Sequence, residues 1–213
     1  MTSLRACDNG PLWRKIFRLP AILVAELAEI LESSACHFPG RTGRGLRRVI
    51  FGRRFRQVGA RPMLAEGIQV LGPENITIGN DFWASRGCFL GALHDGTIQI
   101  GDDVSFATNV TIDAGMGGII RIGDKSGIAH NCVLRAATHL FQDPSKPFKL
   151  QGHKPGSIII EEDVWVSANS VVLAGSHLQK GTIVGAGSVV SGTFKPYSIV
   201  AGNPARVIGR RGA

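Results

Sequence analysis

The sequence predicts a mainly β fold, a three-sided parallel β-helix, for the greater part of its 213 residues. Three observations carry that expectation: a six-residue period of apolar side chains, coil-length spacings between runs of that period, and many glycines with few aromatics. Stepping by six from Ile160 meets Ile160, Val166, Val172, Leu178, Val184 and Val190. Shorter runs share the step at Ile78, Ala84, Leu90, at Ile100, Phe106, Ile112, and at Ile122, Ile128, Leu134. Fifteen apolar positions in register is an improbable outcome at 44% hydrophobic content. A period of six fits neither the 3.6 of an α-helix nor a two-residue alternation; it fits a short strand and a turn on each of three faces. Eighteen residues then close one coil.

The N-terminal part differs in charge. Residues 14–61 hold eleven Lys/Arg against Glu26, Glu29 and Glu32, a net +8, whereas residues 62–213 sum to zero. Residues 1–61 are therefore set apart as a basic, helical arm. Over residues 14–34 one or two helices are expected, with Pro20 able to start the second and Ile22, Leu23, Leu27, Ile30 and Leu31 forming an apolar stripe. Residues 41–56 mix arginines with Leu46, Val49, Ile50, Phe51 and Phe55, which reads as an arm packed on the first coil. The alternative is attraction to an anionic membrane surface. Nucleic acid is not an expected partner, because no stacking aromatics or recognised motif accompany the charge. No apolar run reaches the roughly 18 residues of a membrane span and no signal peptide is evident, so a cytoplasmic chain is expected, possible contact with the inner face of the membrane aside.

Residues 62–200 form the expected β-helix and 201–213 a closing segment. Ile78, Ile100 and Ile122 are 22 residues apart, one coil plus a four-residue bulge at a corner. From Ile160 to Leu178 is 18, but from Ile122 to Ile160 is 38, so a long excursion leaves the stack at 136–157. Long insertions in compact solenoids are commonly functional. The same register puts Cys88, Val110 and Cys132 in one inward column. Cys88 and Cys132 lie two coils apart, roughly 9–10 Å, too far for a disulfide. With Cys7 and Cys36 they lack metal-ligand spacing, and all four are read as free thiols.

These repeats resemble the hexapeptide-repeat acyltransferases, over about residues 66–210. The run from Ser157 to Arg211, with its "NPARVIG" closure, is similar to the C-terminal coils of the sugar O-acetyltransferase branch, which includes maltose- and galactoside-type and polysaccharide or lipopolysaccharide enzymes. The run "AATHLFQDPSKPFKLQG" resembles that branch's protruding loop with its Thr-His pair. The resemblance implies a left-handed coil, acetyl-CoA as cosubstrate, no metal, a sugar or glycan acceptor, and a homotrimer whose active sites lie between subunits. Spacing alone does not give the hand.

Acyl transfer to a hydroxyl needs a base near the acceptor, and neutral histidine suits that role near pH 7. The resemblance puts the catalytic base at His139, at the root of the excursion. His94 in the corner bulge, His153 in the excursion, Gln151 and Asn109 are candidates for the acceptor; Asn109 can equally be a turn asparagine. His130 and His177 are expected to be solvated. For acetyl-CoA the resemblance points to Trp165, the backbone at Ala168 and Ala186, Ser191, and Arg206 toward a phosphate. Ser191-Gly192 stands where the family commonly has Thr-Lys, so one phosphate contact is either missing or supplied by Arg210 or Arg211.

The nearest rival is N-acetylation of a nucleotide-linked amino sugar. A γ-type carbonic anhydrase needs three zinc-binding histidines, and the close pair is missing, with His130 and His139 nine apart. A scaffold solenoid leaves the Thr138-His139 loop unexplained.

Overall fold

The computed structural model describes residues 23, 26–27 and 29–212. Pro20, Ile22 and Cys7, and with them the start of the expected helical arm, lie outside the described residues. The chain divides into two compact units, Met1–Ala35 and Cys36–Ala213. In the first unit the described residues are helical, and Leu23, Leu27, Ile30 and Leu31 of the predicted stripe are exposed.

The second unit is a left-handed parallel β-helix of three stacked sheets. The first face has seven strands, among them Ile76–Ile78, Thr97–Ile100, Ile119–Ile122, Ser157–Ile160 and Ser176–Leu178. The second has eight, including Trp83–Ala84, Ser105–Phe106, Gly127–Ile128, Trp165–Val166 and Ile183–Val184. The third has six, including Phe89–Gly91, Thr111–Asp113, Val133–Arg135 and Val171–Leu173. Each strand pairs with its counterpart one coil on: Ile100 with Ile122, Ile122 with Ile160, Ile160 with Leu178. The predicted spacings are therefore the observed registers. All fifteen apolar positions of the six-residue step are at most 3% exposed.

The second inward column closes the corners. Phe82, Cys88, Val104, Val110 and Cys132 are fully buried, and toward the C-terminus serine and threonine replace them. These hydroxyls find backbone acceptors: Ser126 Oγ donates to Glu161 O (3.0 Å), Thr182 to Gln179 O (2.6 Å) and Ser188 to Gly185 O (2.6 Å). A polar side chain is tolerable there because its hydrogen bond is made. Cys88 and Cys132 are free, and burial pushes both thiols up.

Corners need left-handed backbone, and at two of them Asp and Asn, with one Lys, adopt it. Asp81, Asp103, Lys125 and Asp163 have φ of 55–57° between the first and second faces. Asn109, Asn131 and Asn169 have φ of 58–59° between the second and third.

The expected boundaries shift. The first coil opens with Gln57–Val58, paired to Thr77 and Ile78, so 61/62 cuts through it. The basic arm does not stay apart either: Gly40–Gly52 is a helix, α1, within the second unit. Its Phe51, and Phe55 beyond it, join the core with Leu64 and Ile68, covering the open end of the coil. Solenoid ends need such a cap, because the last rung otherwise exposes its apolar interior and unpaired edge. At the other end Ser198–Gly202 and Ala205–Arg210 form an antiparallel hairpin, so a boundary at 200/201 would split a strand.

Arg47 on α1 is fully buried. Its Nε donates to Leu64 O (2.8 Å) and Nη1 to Phe38 O (2.8 Å) and Cys36 O (3.3 Å). It ties the cap to the first coil, most deeply through the Leu64 carbonyl. An Arg47→Met variant keeps the bulk and takes that donor from the buried Leu64 carbonyl, at about 1–3 kcal/mol for an acceptor left unpaired. Urea unfolding is expected to show a lower midpoint; an unchanged midpoint would mean the latch contributes nothing.

Candidate functional site

All departures from an 18-residue coil leave at the corner between the third and first faces. Residues 92–96 and 114–118 are the short bulges, and 136–156 the long excursion. Stacked corners bring these segments together although they are far apart in sequence.

The excursion is a hairpin at its root, Ala137–His139 antiparallel to His153–Pro155, with His139 directly opposite His153. The two imidazoles lie 4.2 Å apart between centroids, tilted by 42°. Phe148, from the 3-10 turn Phe148–Leu150, meets His139 edge-on at 5.1 Å. His139 Nδ1 is buried with no hydrogen-bond partner among the described residues. The ring is therefore positioned by packing, with no hydrogen bond at Nδ1 among the described residues.

Two further basic groups bear on this pair. The pKa of His153 is lowered, first by desolvation, then by His139, Arg135 and His94. Arg135 forms an ion pair with Asp113, and its Nε donates to Ala137 O (3.3 Å) at the foot of the hairpin. Asp113 also accepts from Gly115 N (2.9 Å), steadying the bulge below. His94 sits exposed at φ 52° and its carbonyl accepts from Gly117 N (2.8 Å). The structure thus gathers His94, His139 and His153 at one corner.

The other predicted residues are elsewhere. Asn109 stands on the second–third corner, where its Nδ2 donates to Asn131 Oδ1 (3.3 Å) and Asn131 in turn to Asn169 (3.3 Å). Its turn role is the one its conformation and ladder explain. Ala168 and Ala186 share that corner, with Gly187 N donating to Ala168 O (2.9 Å). Trp165 faces outward, exposed, on the second face. Ser191 lies on the third–first corner, two coils beyond the excursion, and Arg206 on the closing hairpin donates to its own Ala205 O (2.9 Å).

Gln151 is engaged within its own loop. Its Nε2 donates to Asp143 O (2.8 Å) and Lys146 O (2.9 Å), and Oε1 accepts from Asp143 N (3.1 Å). Both ends of the amide are spent on bracing the loop. His177 is not simply solvated: its Nε2 pairs with Glu161 at 2.7 Å. Among the described residues no group of three or more His, Cys, Asp or Glu is arranged to hold a metal.

Sequence reasoning missed Arg135 with Asp113, and Phe148. The first two were within reach, because 22 residues is one coil in this segment and puts them in adjacent rungs.

No family model matches the chain. Over 118 residues, 55% of its length, it is 31% identical to a probable acetyltransferase of Mycobacterium tuberculosis, and it spans only 39% of that protein. A variant of AntD, an N-acyltransferase from Bacillus cereus solved with a dTDP-linked amino sugar and coenzyme A, aligns with TM-score 0.69 and 25% identity, over 78% of this chain and 90% of that one. A maltose O-acetyltransferase from Clostridium difficile shares the fold with TM-score 0.56 and 22% identity, over 89% and 88% of the two chains.

Since desolvation is the largest cause of the His153 shift, its imidazole titrates below the ordinary histidine value of 6.5. The unfolded chain then binds the proton first, so His153 lowers stability as pH falls through that value. By NMR titration, His139→Asn is expected to raise the His153 pKa without restoring it fully. A His153 that titrates at the ordinary value in the wild type would mean the hairpin root is open to water.

Proposed function

We propose that this chain, whose relatives and structural neighbours are hexapeptide-repeat acetyltransferases, transfers acetyl from acetyl-CoA to a sugar or glycan hydroxyl with His139 as general base. The observation that carries this reading is the packing of His139 between His153 and Phe148 at the one long excursion from the coil. Its Nε2 takes the acceptor's proton as the oxygen attacks the thioester carbonyl. The C–O bond forms, the carbonyl electron pair moves to oxygen, and collapse expels the thiolate. The thiolate then receives the proton from the imidazolium, so no covalent enzyme intermediate is required.

The cosubstrate reading rests on likeness: the AntD neighbour binds coenzyme A. We assign its wall to Trp165, Ala168 and Ala186, with Ser191 and Arg206 beyond. His139 is on the third–first corner, whereas Trp165 is on the second face and Ala168 and Ala186 on the second–third corner, which supports a homotrimer in which adjoining subunits complete each site. Asn109 stands on the same corner as Ala168, so an acceptor contact through it would fall in that shared cleft. A polysaccharide or lipopolysaccharide precursor is the acceptor class we favour. Exposed Leu46 and Val49 on α1, among Arg41 and Arg48, support peripheral contact with an anionic membrane from the cytoplasmic side. No described helix is long and apolar enough to cross one.

The AntD likeness favours one second reading, N-acetylation of a nucleotide-linked amino sugar. A panel of hydroxyl glycans against amino sugars, read by thiol release from acetyl-CoA, separates the two. In the same assay His139→Ala is expected to lower the rate about 10²- to 10⁴-fold. Equal rates in the two proteins would overturn the role of His139.

A further inference from the structure

Two tryptophans stand in one outward column of the second face. Trp83 pairs with Ser105, Ser105 with Gly127, and Gly127 with Trp165, one rung each. Three strand spacings put the indoles about 14 Å apart along the axis. They are 50% and 52% exposed, and between them lies a recess of about 420 Å³ with Ser105 and Gly127 as its floor and Ser85 and His130 at its edge. Large aromatics left half in water on a flat strand face signal a binding surface.

The rings are set rather than loose. Trp83 Nε1 donates to Ser85 Oγ (3.1 Å), which spends its polar edge and leaves the apolar face free. Trp165 leans over Gly127, where a Cβ would lie 3.7 Å from its Cδ1 and 3.6 Å from Ser105 Oγ. The missing side chain at Gly127 is what keeps the floor open.

The lining includes no Lys, Arg, Asp or Glu. Charges gather instead in the adjoining recess on the same face, with Asp103, Lys125, Asp163 and Arg211. Phosphate would call for cations at the contact. A neutral occupant with apolar C–H faces and hydroxyl edges suits two indole walls above serines, and that description fits pyranose rings.

We propose that the Trp83–Trp165 recess binds a neutral, short oligosaccharide segment of the acceptor, with Trp83 as the specificity platform remote from the acyl donor. This rests on the transferase reading above, with Trp165 dividing donor from acceptor.

The test is titration of wild type, Trp83→Ala, Gly127→Leu and His139→Ala with maltotriose, cellotriose and chitotriose, read by tryptophan fluorescence, with UDP-N-acetylglucosamine as the charged comparison. Gly127 has ordinary φ and space for a Cβ, so Gly127→Leu fills the recess without strain in the fold. At least one trisaccharide is expected to bind saturably to wild type and His139→Ala alike. Affinity should fall about tenfold in Trp83→Ala, the scale of one lost aromatic contact, and further in Gly127→Leu. With a turned-over acceptor, Trp83→Ala should raise its KM while the KM for acetyl-CoA stays unchanged. The proposal is overturned by binding of no trisaccharide, by binding that both variants leave intact, by preference for the nucleotide sugar, or by dissociation of the oligomer in Trp83→Ala. Trisaccharide binding without His139-dependent thiol release would instead remove the transferase reading and leave the recess standing.

Discussion

Each coil of this protein must place one apolar side chain per face on the axis and hand its backbone hydrogen bonds to the coil above and below. A parallel strand here pairs only with its own counterpart, so every residue added must leave and return at a corner without disturbing the strand that follows. Ile100, Ile122 and Ile160 obey this although 22 and 38 residues separate them: the extra chain lies wholly between the third and first faces. A one-residue slip would turn an inward isoleucine outward, so the register is strongly held. The core is consequently narrow, aliphatic and uniform, and chemistry is confined to corners and outward faces.

That confinement explains how the candidate site is assembled. Residues 92–96, 114–118 and 136–156 would be unrelated loops in another fold; stacked corners make them one surface. Asp113 and Arg135, paired on adjacent rungs, sit where the bulges emerge and tie the coil to the foot of the hairpin. His139 then gains its setting from local pairing with His153 and from Phe148, not from the coil itself. The rigid part supplies position, and the excursion supplies the imidazoles.

What could be read from the sequence follows the same division. The period, the column of Cys88 and Cys132, and the place of the excursion were all legible, because they are consequences of counting along a regular repeat. His139 was legible only through resemblance, since nothing in counting says which loop histidine will be packed. The bracing bonds of Gln151 were not legible, because its partners are backbone carbonyls inside its own loop, and those become visible only when the loop is closed. The helical arm and its packing on the first coil were legible, but the bounds of α1 were not: its glycines weaken local helix signal, while the buried latch of Arg47 and Phe51 that stabilises it depends on the first coil. Trp83 was overlooked although Trp165 was singled out, because the two share a column only across three rungs of unequal coil length.

The division also bears on where a reaction can occur. In a three-sided prism the third–first corner lies opposite the second face, so within one chain the excursion that carries His139 leaves the coil on the side away from Trp83 and Trp165. An acceptor held between those indoles cannot present a hydroxyl to the histidine of its own chain, since the full thickness of the coil intervenes. A reaction using both therefore requires a second copy whose third–first corner meets this second face. Such a contact is heterologous, joining different surfaces of identical chains, and it produces a closed ring only if the rotation between copies closes. A triangular prism offers three-fold closure naturally, because neighbouring flat faces meet at the angle the prism itself sets. On this argument the separation of the histidine corner from the tryptophan face is not an obstacle to the proposed chemistry but the feature that makes assembly a condition of it.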